Sequence, residues 1–272
     1  RAMTYVIGFL IGAILGLTGA GGSVVALPLL VGPLALPVQT AAGMALGAVA
    51  LAAATGLMAR LRSGDIVWLP GLYFSLVAAV ALPFGRWLNE LLPDTLLLGL
   101  FALLVVYVAI RLWRQATYQP EEASVVRAQY SRGEAKAPVC RFTHGTPGSR
   151  CFLMLGLAAL LAGILSGLFG VGGGFVIVPV LIFLTGISVH QAVATSLLVI
   201  TLVAGSGFLL FLYRGGEAAP ELLLPLAVGG VLGMLGGTWM ARYMAGPVLQ
   251  KTFAVVMILL ANGVLLQSLL MD

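Results

Sequence analysis

Two glycine-rich turns are the residues in this chain best placed to do chemistry. Gly16-Leu17-Thr18-Gly19-Ala20-Gly21-Gly22-Ser23 returns 151 positions later as Gly167-Leu168-Phe169-Gly170-Val171-Gly172-Gly173-Gly174, and each copy is followed by a proline, Pro28 or Pro179. Seven of the thirteen positions from Gly16 to Pro28 are identical at that offset. Glycine and proline are costly inside a helix, so an apolar stretch that concentrates them reads as a purposeful break in a membrane segment. A broken helix leaves unpaired N–H groups at the start of the piece that follows, at the positive end of its dipole. Gly19, Gly21, Gly22 and Ser23, with Gly170, Gly172, Gly173 and Gly174, are therefore candidate donors to a small oxyanion, and they need no buried cation. The competing role is helix packing. It suits the spaced sets Gly8/Gly12/Gly16, Gly43/Gly47 and Gly229/Gly233/Gly237, but it does not call for consecutive glycines.

Hydroxyls stand near the turns: Thr18 and Ser23 within the first, Thr40 at the start of the next segment, and Thr195 and Ser196 in the segment that follows the second turn. Each can donate to a sulfonate, sulfite or carboxylate oxygen, or bond back to its own helix carbonyl. The adjacent pair Thr195-Ser196 is the stronger candidate, expected beside the second turn if the halves pack compactly. His190 and Gln191 open one segment as Gln39 and Thr40 open another. A histidine there can contact an anion or shuttle a proton, or simply be solvated. Arg86 and Arg242, near segment ends, can draw anions to a pathway mouth or snorkel to headgroups. Trp68, Trp87, Trp113 and Trp239 read as interface anchors. No Asp, Glu, Lys or Arg falls in the middle of a segment, which disfavours a metal-cation carrier. No Ser-His-Asp set, paired carboxylates or Cys/His cluster suggests an enzyme, a metal site or a cofactor. Cys140 and Cys151 show no pairing pattern and are expected as free thiols.

The elements that must position these residues are membrane helices. The 272 residues are 61% hydrophobic and 8% charged, where soluble domains carry about 25% charged residues. No charge occurs from Ala2 to Ala59 or from Cys151 to Tyr213, runs too long for single spans of about 20 residues. Arg1 ahead of an apolar stretch imitates a signal peptide, but the stretch outlasts an h-region of about 7–15 residues. Eight segments follow: Thr4 to Val31, Val38 to Ala59, Ile66 to Trp87, Thr95 to Trp113, Cys151 to Leu184, Val189 to Leu212, Leu222 to Tyr243 and Pro247 to Leu270. The fold class is thus an all-α polytopic membrane protein of two homologous four-segment repeats, residues 1–113 and 151–272, joined by a polar basic loop, 114–150. Segments 1 and 5 are broken by glycine and either cross once or form re-entrant hairpins.

If all eight segments cross, Arg1, Arg60, Arg62, Arg214 and the seven basic residues from Arg111 to Arg150 share a side, with Arg86, Arg242 and Lys251 opposite. If segments 1 and 5 are hairpins, Arg60, Arg62, the same seven, Arg242 and Lys251 share a side, with Arg1, Arg86 and Arg214 opposite, and the halves are inverted. Both counts place the central loop in the cytoplasm. Neither decides between parallel and inverted repeats.

The run Gly163-Ile164-Leu165-Ser166-Gly167-Leu168-Phe169-Gly170-Val171-Gly172-Gly173-Gly174, then Pro179, Gln191-Ala192-Val193-Ala194-Thr195-Ser196-Leu197 and Arg214-Gly215-Gly216, resembles the TauE/SafE sulfite exporter family, also called the toluene sulfonate uptake permease family. The resemblance covers both halves. It implies an inner-membrane, multi-pass transporter of small sulfur-containing anions such as sulfite, thiosulfate and organosulfonates, with the lipid bilayer as partner. Sulfite can itself take up a proton, so a proton is a candidate coupling ion; no nucleic acid and no cofactor is expected. The first half departs from the pattern: Ser23 replaces the third glycine, and Gly43-Met44-Ala45 stands where the second half has Ala194-Thr195-Ser196. If that Thr-Ser pair lines the site, segments 5 and 6 dominate binding.

Overall fold

The computed structural model describes residues 2–19, 22–34, 36–61, 64–93, 96–97, 99–104, 106–107, 110, 149–170, 172, 174–185, 187, 189–216 and 219–240. Eight helices lie within them: α1 (Ala2–Thr18), α2 (Gly22–Val31), α3 (Val38–Leu61), α4 (Trp68–Leu91), α5 (Ser149–Phe169), α6 (Gly174–Thr185), α7 (Val189–Tyr213) and α8 (Pro220–Met240). Residues 96–97, 99–104 and 106–107 are also helical. The last segment, the loop to residue 148, Cys140, Arg242 and Trp113 lie outside the described residues.

The protein is all-helical, and five helices, α3, α4, α5, α7 and α8, are long and apolar enough to cross a membrane. On α4 the exposed side chains Leu69, Leu72, Leu76, Val80, Phe84, Trp87 and Leu91 recur every three or four residues and form one apolar stripe, a surface suited to lipid. Trp68, Trp87 and Trp239 are each at least half exposed, as interface anchors are. Segment 3 runs further than expected, since α4 carries Asn89 and Glu90 inside its last turn and stops at Leu92, just before Pro93. Cys151, 1% exposed at the start of α5, is disulfide-bonded, which corrects the free-thiol expectation at that position. Cysteine count and spacing carry no geometry, so pairing is not legible from them.

Backbones touch where the spaced glycines predict. A Cβ on Gly8, Gly12 or Gly16 of α1 would lie 2.2 Å from Leu226 O, 1.9 Å from Gly230 O and 2.6 Å from Met234 O of α8. Residue numbers rise together, so α1 and α8 run parallel. The pair α5 and α4 repeats this: a Cβ on Gly163 or Gly167 would lie 2.2 Å from Ala78 O or Leu82 O. Lipid supplies no hydrophobic drive between helices, so such close van der Waals contact is what holds them.

The centre of the molecule is α3 against α7, the most buried of the five spans at 72% and 56% of their apolar windows. Gly43 faces Phe211 and Gly47 faces Phe208. Here the numbers run in opposite senses, and the two helices are antiparallel. Met234 of α8 meets Gly56 of α3, and Gly230 meets Ala52 and Ala48, so α3 is parallel to α8 and therefore to α1. Between two parallel helices the chain must come back. It does so in α2, because a Cβ on Gly22 would lie 2.5 Å from Ile11 O and from Leu15 N, residues that a continuous helix would leave about 10–16 Å behind. With about 15 Å of rise, α2 returns alongside α1 without spanning the hydrocarbon core of about 30 Å.

Candidate functional site

Each glycine turn lodges against the central helix of the other half. Gly19 ends α1 at φ +72°, with its N–H on Leu15 O at 2.7 Å, and a Cβ there would lie 2.4 Å from Val193 Cγ1 of α7. Gly170 ends α5 at φ +66°, with its N–H on Ser166 O at 2.9 Å, and a Cβ there would lie 2.4 Å from Ala42 O of α3. Both are left-handed helix stops that only glycine adopts without strain. In this conformation their amides close the preceding helix. The first turns of α2, from Gly22, and of α6, from Gly174, present amides that lack intrahelical acceptors, as the start of any helix does. Gly172, at φ +67°, is buried. Its neighbours are Val49 of α3 and Ile200 and Ala204 of α7, near the middle of both helices. Gly21, Gly173 and the side chains of Ser23 and His190 lie outside the described residues.

Thr195 and Ser196 are both fully buried, and the structure sends them to different places. Ser196 Oγ shares its one proton between Gly19 O at 3.0 Å and Val193 O at 2.8 Å. Thr195 Oγ1 accepts the Val67 N–H at 3.0 Å, just before α4. Neighbours on a helix stand about 100° apart, so one cannot follow the other. The pair was expected beside the second turn; instead Ser196 ties α7 to the first. Gly172 still reaches the helix that carries Ser196, at Ile200, one turn or about 6 Å of rise beyond it. Thr18 bonds back to Ile14 O at 2.7 Å, the bland alternative for a helix threonine. Thr40 and Gln191 are half-buried at the starts of α3 and α7.

The second turn has two polar neighbours on α4, Arg86, singled out in the sequence, and Asn89, which was not. Asn89 of α4, wholly buried, donates Nδ2 to Leu168 O at 2.6 Å and so caps α5 at its break. Arg86, one turn earlier, does not snorkel: it is 7% exposed, donates Nη1 to Gln39 O at 3.3 Å and lies 5.3 Å above the Phe211 ring. Glu90 approaches Arg86 at 3.4 Å and Arg214 at 2.8 Å, joining the ends of α4 and α7. Three buried polar atoms have no described partner: Arg86 Nε, Asn89 Oδ1 and Ser166 Oγ. The available signal was Arg86, Asn89 and Glu90 at i, i+3 and i+4, which share one face if the helix continues. Reading Asn89 and Glu90 as a link hid it. A cavity of about 280 Å³ near Leu168 and Phe169 is lined by Leu100, Leu103, Leu104, Tyr107 and Leu165 as well, and offers an oxyanion nothing to replace its water.

Five long apolar helices, with exposed apolar stripes and two glycine-broken segments against the central pair, are the architecture of a multi-pass membrane protein. The chain belongs to the family described as sulfite exporter TauE/SafE, whose model matches residues 4–263. It is similar to a protein of Xylella fastidiosa (strain Temecula1 / ATCC 700964) described as a probable membrane transporter protein, 31% identical over 266 residues, covering 96% of this chain and 93% of the relative. A Bacillus subtilis (strain 168) protein, described as probable membrane transporter protein YdhB, is 30% identical over 243 residues, covering 89% and 91%. Another from the same strain, YunE, is 26% identical over 214 residues, covering 74% of each. No solved structure matches. The protein is therefore a membrane transporter and not an enzyme.

Proposed function

We propose that this protein is a secondary transporter that exports a small sulfur-containing anion, such as sulfite, thiosulfate or an organosulfonate, across the inner (plasma) membrane by alternating access between two inverted repeats. The observation that carries the reading is the exchange of turns between halves. Gly19 docks on Val193 and Gly170 on Ala42, and Val193 lies 151 positions after Ala42, the same interval that separates the turns. A substrate held by the amides that open α2 and α6 touches both halves at once, as alternating access requires. Dehydrating an oxyanion is costly, and fixed dipoles there replace its water.

Inversion is supported twice. Repeats related by an axis in the membrane plane run their equivalent helices antiparallel, as α3 and α7 run. Arg86 and Arg214 share Glu90, whereas eight crossings would put them on opposite faces. The hairpin count puts them together and leaves the 114–150 loop in the cytoplasm.

The test is counterflow in proteoliposomes. External labelled sulfite should enter transiently against its gradient when vesicles are loaded with unlabelled substrate, and sulfate, acetate and chloride should not substitute. Linear, non-saturating flux without counterflow would make the protein an anion channel. No flux and no ligand-induced rise in melting temperature would make it a scaffold.

A further inference from the structure

Arg86 uses only part of its hydrogen-bonding capacity. A guanidinium has five N–H donors, and the described contacts account for one hydrogen bond, from Nη1 to Gln39 O. Nε lies 3.4 Å from Glu90 Oε1, within reach of its charge, but bonds to no described group. Side-chain exposure falls from 38% at Arg214 and 39% at Glu90 to 9% at Arg86. The three charges thus form a file that leads inward from the rim. At its inner end is the second break: a Cβ on Gly167 would lie 2.8 Å from Arg86 N, Asn89 caps Leu168 O, and Gln39, which holds Arg86, stands three residues before the Ala42 that Gly170 touches.

We propose that Arg86 is an anion-binding residue of the transport route, and that Glu90 is a resident carboxylate that occupies the guanidinium until a permeating oxyanion displaces it. The proposal rests on the anion-transporter reading above and adds the group that receives the charge. A sulfite or sulfonate presents two oxygens to the guanidinium fork much as a carboxylate does, so the exchange replaces like with like. Glu90 is not stranded by it, because it already holds Arg214 at 2.8 Å. Phe211 covers one face of the guanidinium and leaves its edge for the anion. Among the described residues the arrangement belongs to the second break. In the helix contacts, Ala78 corresponds to Gly230 and Leu82 to Met234; that interval of 152 carries Arg86 to Thr238, whose described bonds run back to Met234 O and Leu235 O.

The experiment titrates sulfite, thiosulfate and methanesulfonate into the full-length purified protein and its variants, reading Kd from thermal shift and KM from proteoliposome flux. Glu90→Gln removes the internal competitor and is expected to tighten anion binding about threefold or more, while Arg86→Gln weakens it about tenfold or more, with Arg86→Lys between them. A purely structural ion pair would lower the melting temperature in both variants and leave Kd unchanged, which would overturn the proposal. Should Arg86→Gln not fold, the half-exposed Glu90→Gln decides alone: unchanged or weaker binding refutes displacement. If the wild type binds none of the three anions, the transporter reading fails and this inference with it. If the wild type binds and both variants match it, only the role of Arg86 and Glu90 falls.

Discussion

Gly170→Ala and Gly172→Ala place the same methyl group in the same backbone conformation with different surroundings, and so separate strain from space. Their φ values are +66° and +67°, and an L-residue held there costs about 1–2 kcal/mol. At Gly172 the new Cβ would meet Ala204 Cβ at 3.6 Å and Ile200 and Val49 at 3.7 Å, ordinary contacts that add nothing. At Gly170 it would lie 2.4 Å from Ala42 O and 2.5 Å from Ala42 Cα. Those are backbone atoms that cannot rotate away, so overpacking adds about 1–3 kcal/mol. Gly172→Ala is therefore expected to lose about 1–2 kcal/mol and Gly170→Ala about 2–5.

Reversible denaturation in mixed micelles measures the difference, and equal losses within about 0.5 kcal/mol would refute the placement of the second turn against α3. Flux adds an independent reading. If Gly172 lines the substrate, its methyl should reduce sulfite counterflow about tenfold or more, the equivalent of about 1.4 kcal/mol in the barrier, in protein that is still folded. Flux that falls only in proportion to the folded fraction would leave Gly172 a packing residue.

Ser196→Ala leaves Gly19 O without its donor and should cost about 1–2 kcal/mol, and Thr195→Val leaves the Val67 N–H unpaired at about the same cost. Because their partners differ, the double variant should be additive in stability within about 0.5 kcal/mol; strong non-additivity would mean that the two hydroxyls serve one ligand or one contact. After replacement of Cys140 and Cys151, Glu90→Cys and Arg214→Cys should both react with a membrane-impermeant maleimide applied to one face of oriented vesicles, and Leu61→Cys with reagent applied to the other. Labelling of positions 90 and 214 from opposite faces would restore eight crossings.

Much of the architecture was legible because it depends on residue size and period. Gly8, Gly12 and Gly16 stand at every fourth position, and the structure uses them for the backbone contact with α8 that such spacing permits. The breaks were legible for the same reason: consecutive glycines after an apolar run have few uses besides a left-handed stop. Direction was not legible. Charge bias gave eleven of fourteen on one side under either topology, and only the partners of individual residues, Phe211 with Gly43 and Arg214 with Glu90, resolve the sense of each helix. Side-chain aim was not legible either. Thr195 and Ser196 are adjacent in sequence, but the 100° step of a helix points one at α4 and the other at α1.

The two breaks are held by different chemistry, and this changes where binding asymmetry should be sought. The first turn is pinned by a hydroxyl, Ser196 to Gly19 O; the residue 151 positions before Ser196 is Ala45, which has none to offer the second. That turn is pinned by an amide, Asn89 to Leu168 O, from α4. A satisfied hydroxyl makes a stiff joint. An amide whose oxygen is buried and has no hydrogen-bond partner among the described residues, beside an arginine whose Nε has only the charge of Glu90 at 3.4 Å and a Ser166 hydroxyl with no described partner, makes a joint that gains from a ligand, because each unmet buried group costs about 1–3 kcal/mol until something bonds to it. The binding asymmetry expected from the Thr-Ser pair is then predicted to have a different physical source: unmet polar groups around the second break, on α4 of the first half and α5 of the second. Asn89→Leu separates the two sources. It removes the cap and the unpartnered oxygen together, leaves Ser196 untouched, and should weaken anion binding more than Ser196→Ala does; the reverse order would return the site to the first turn.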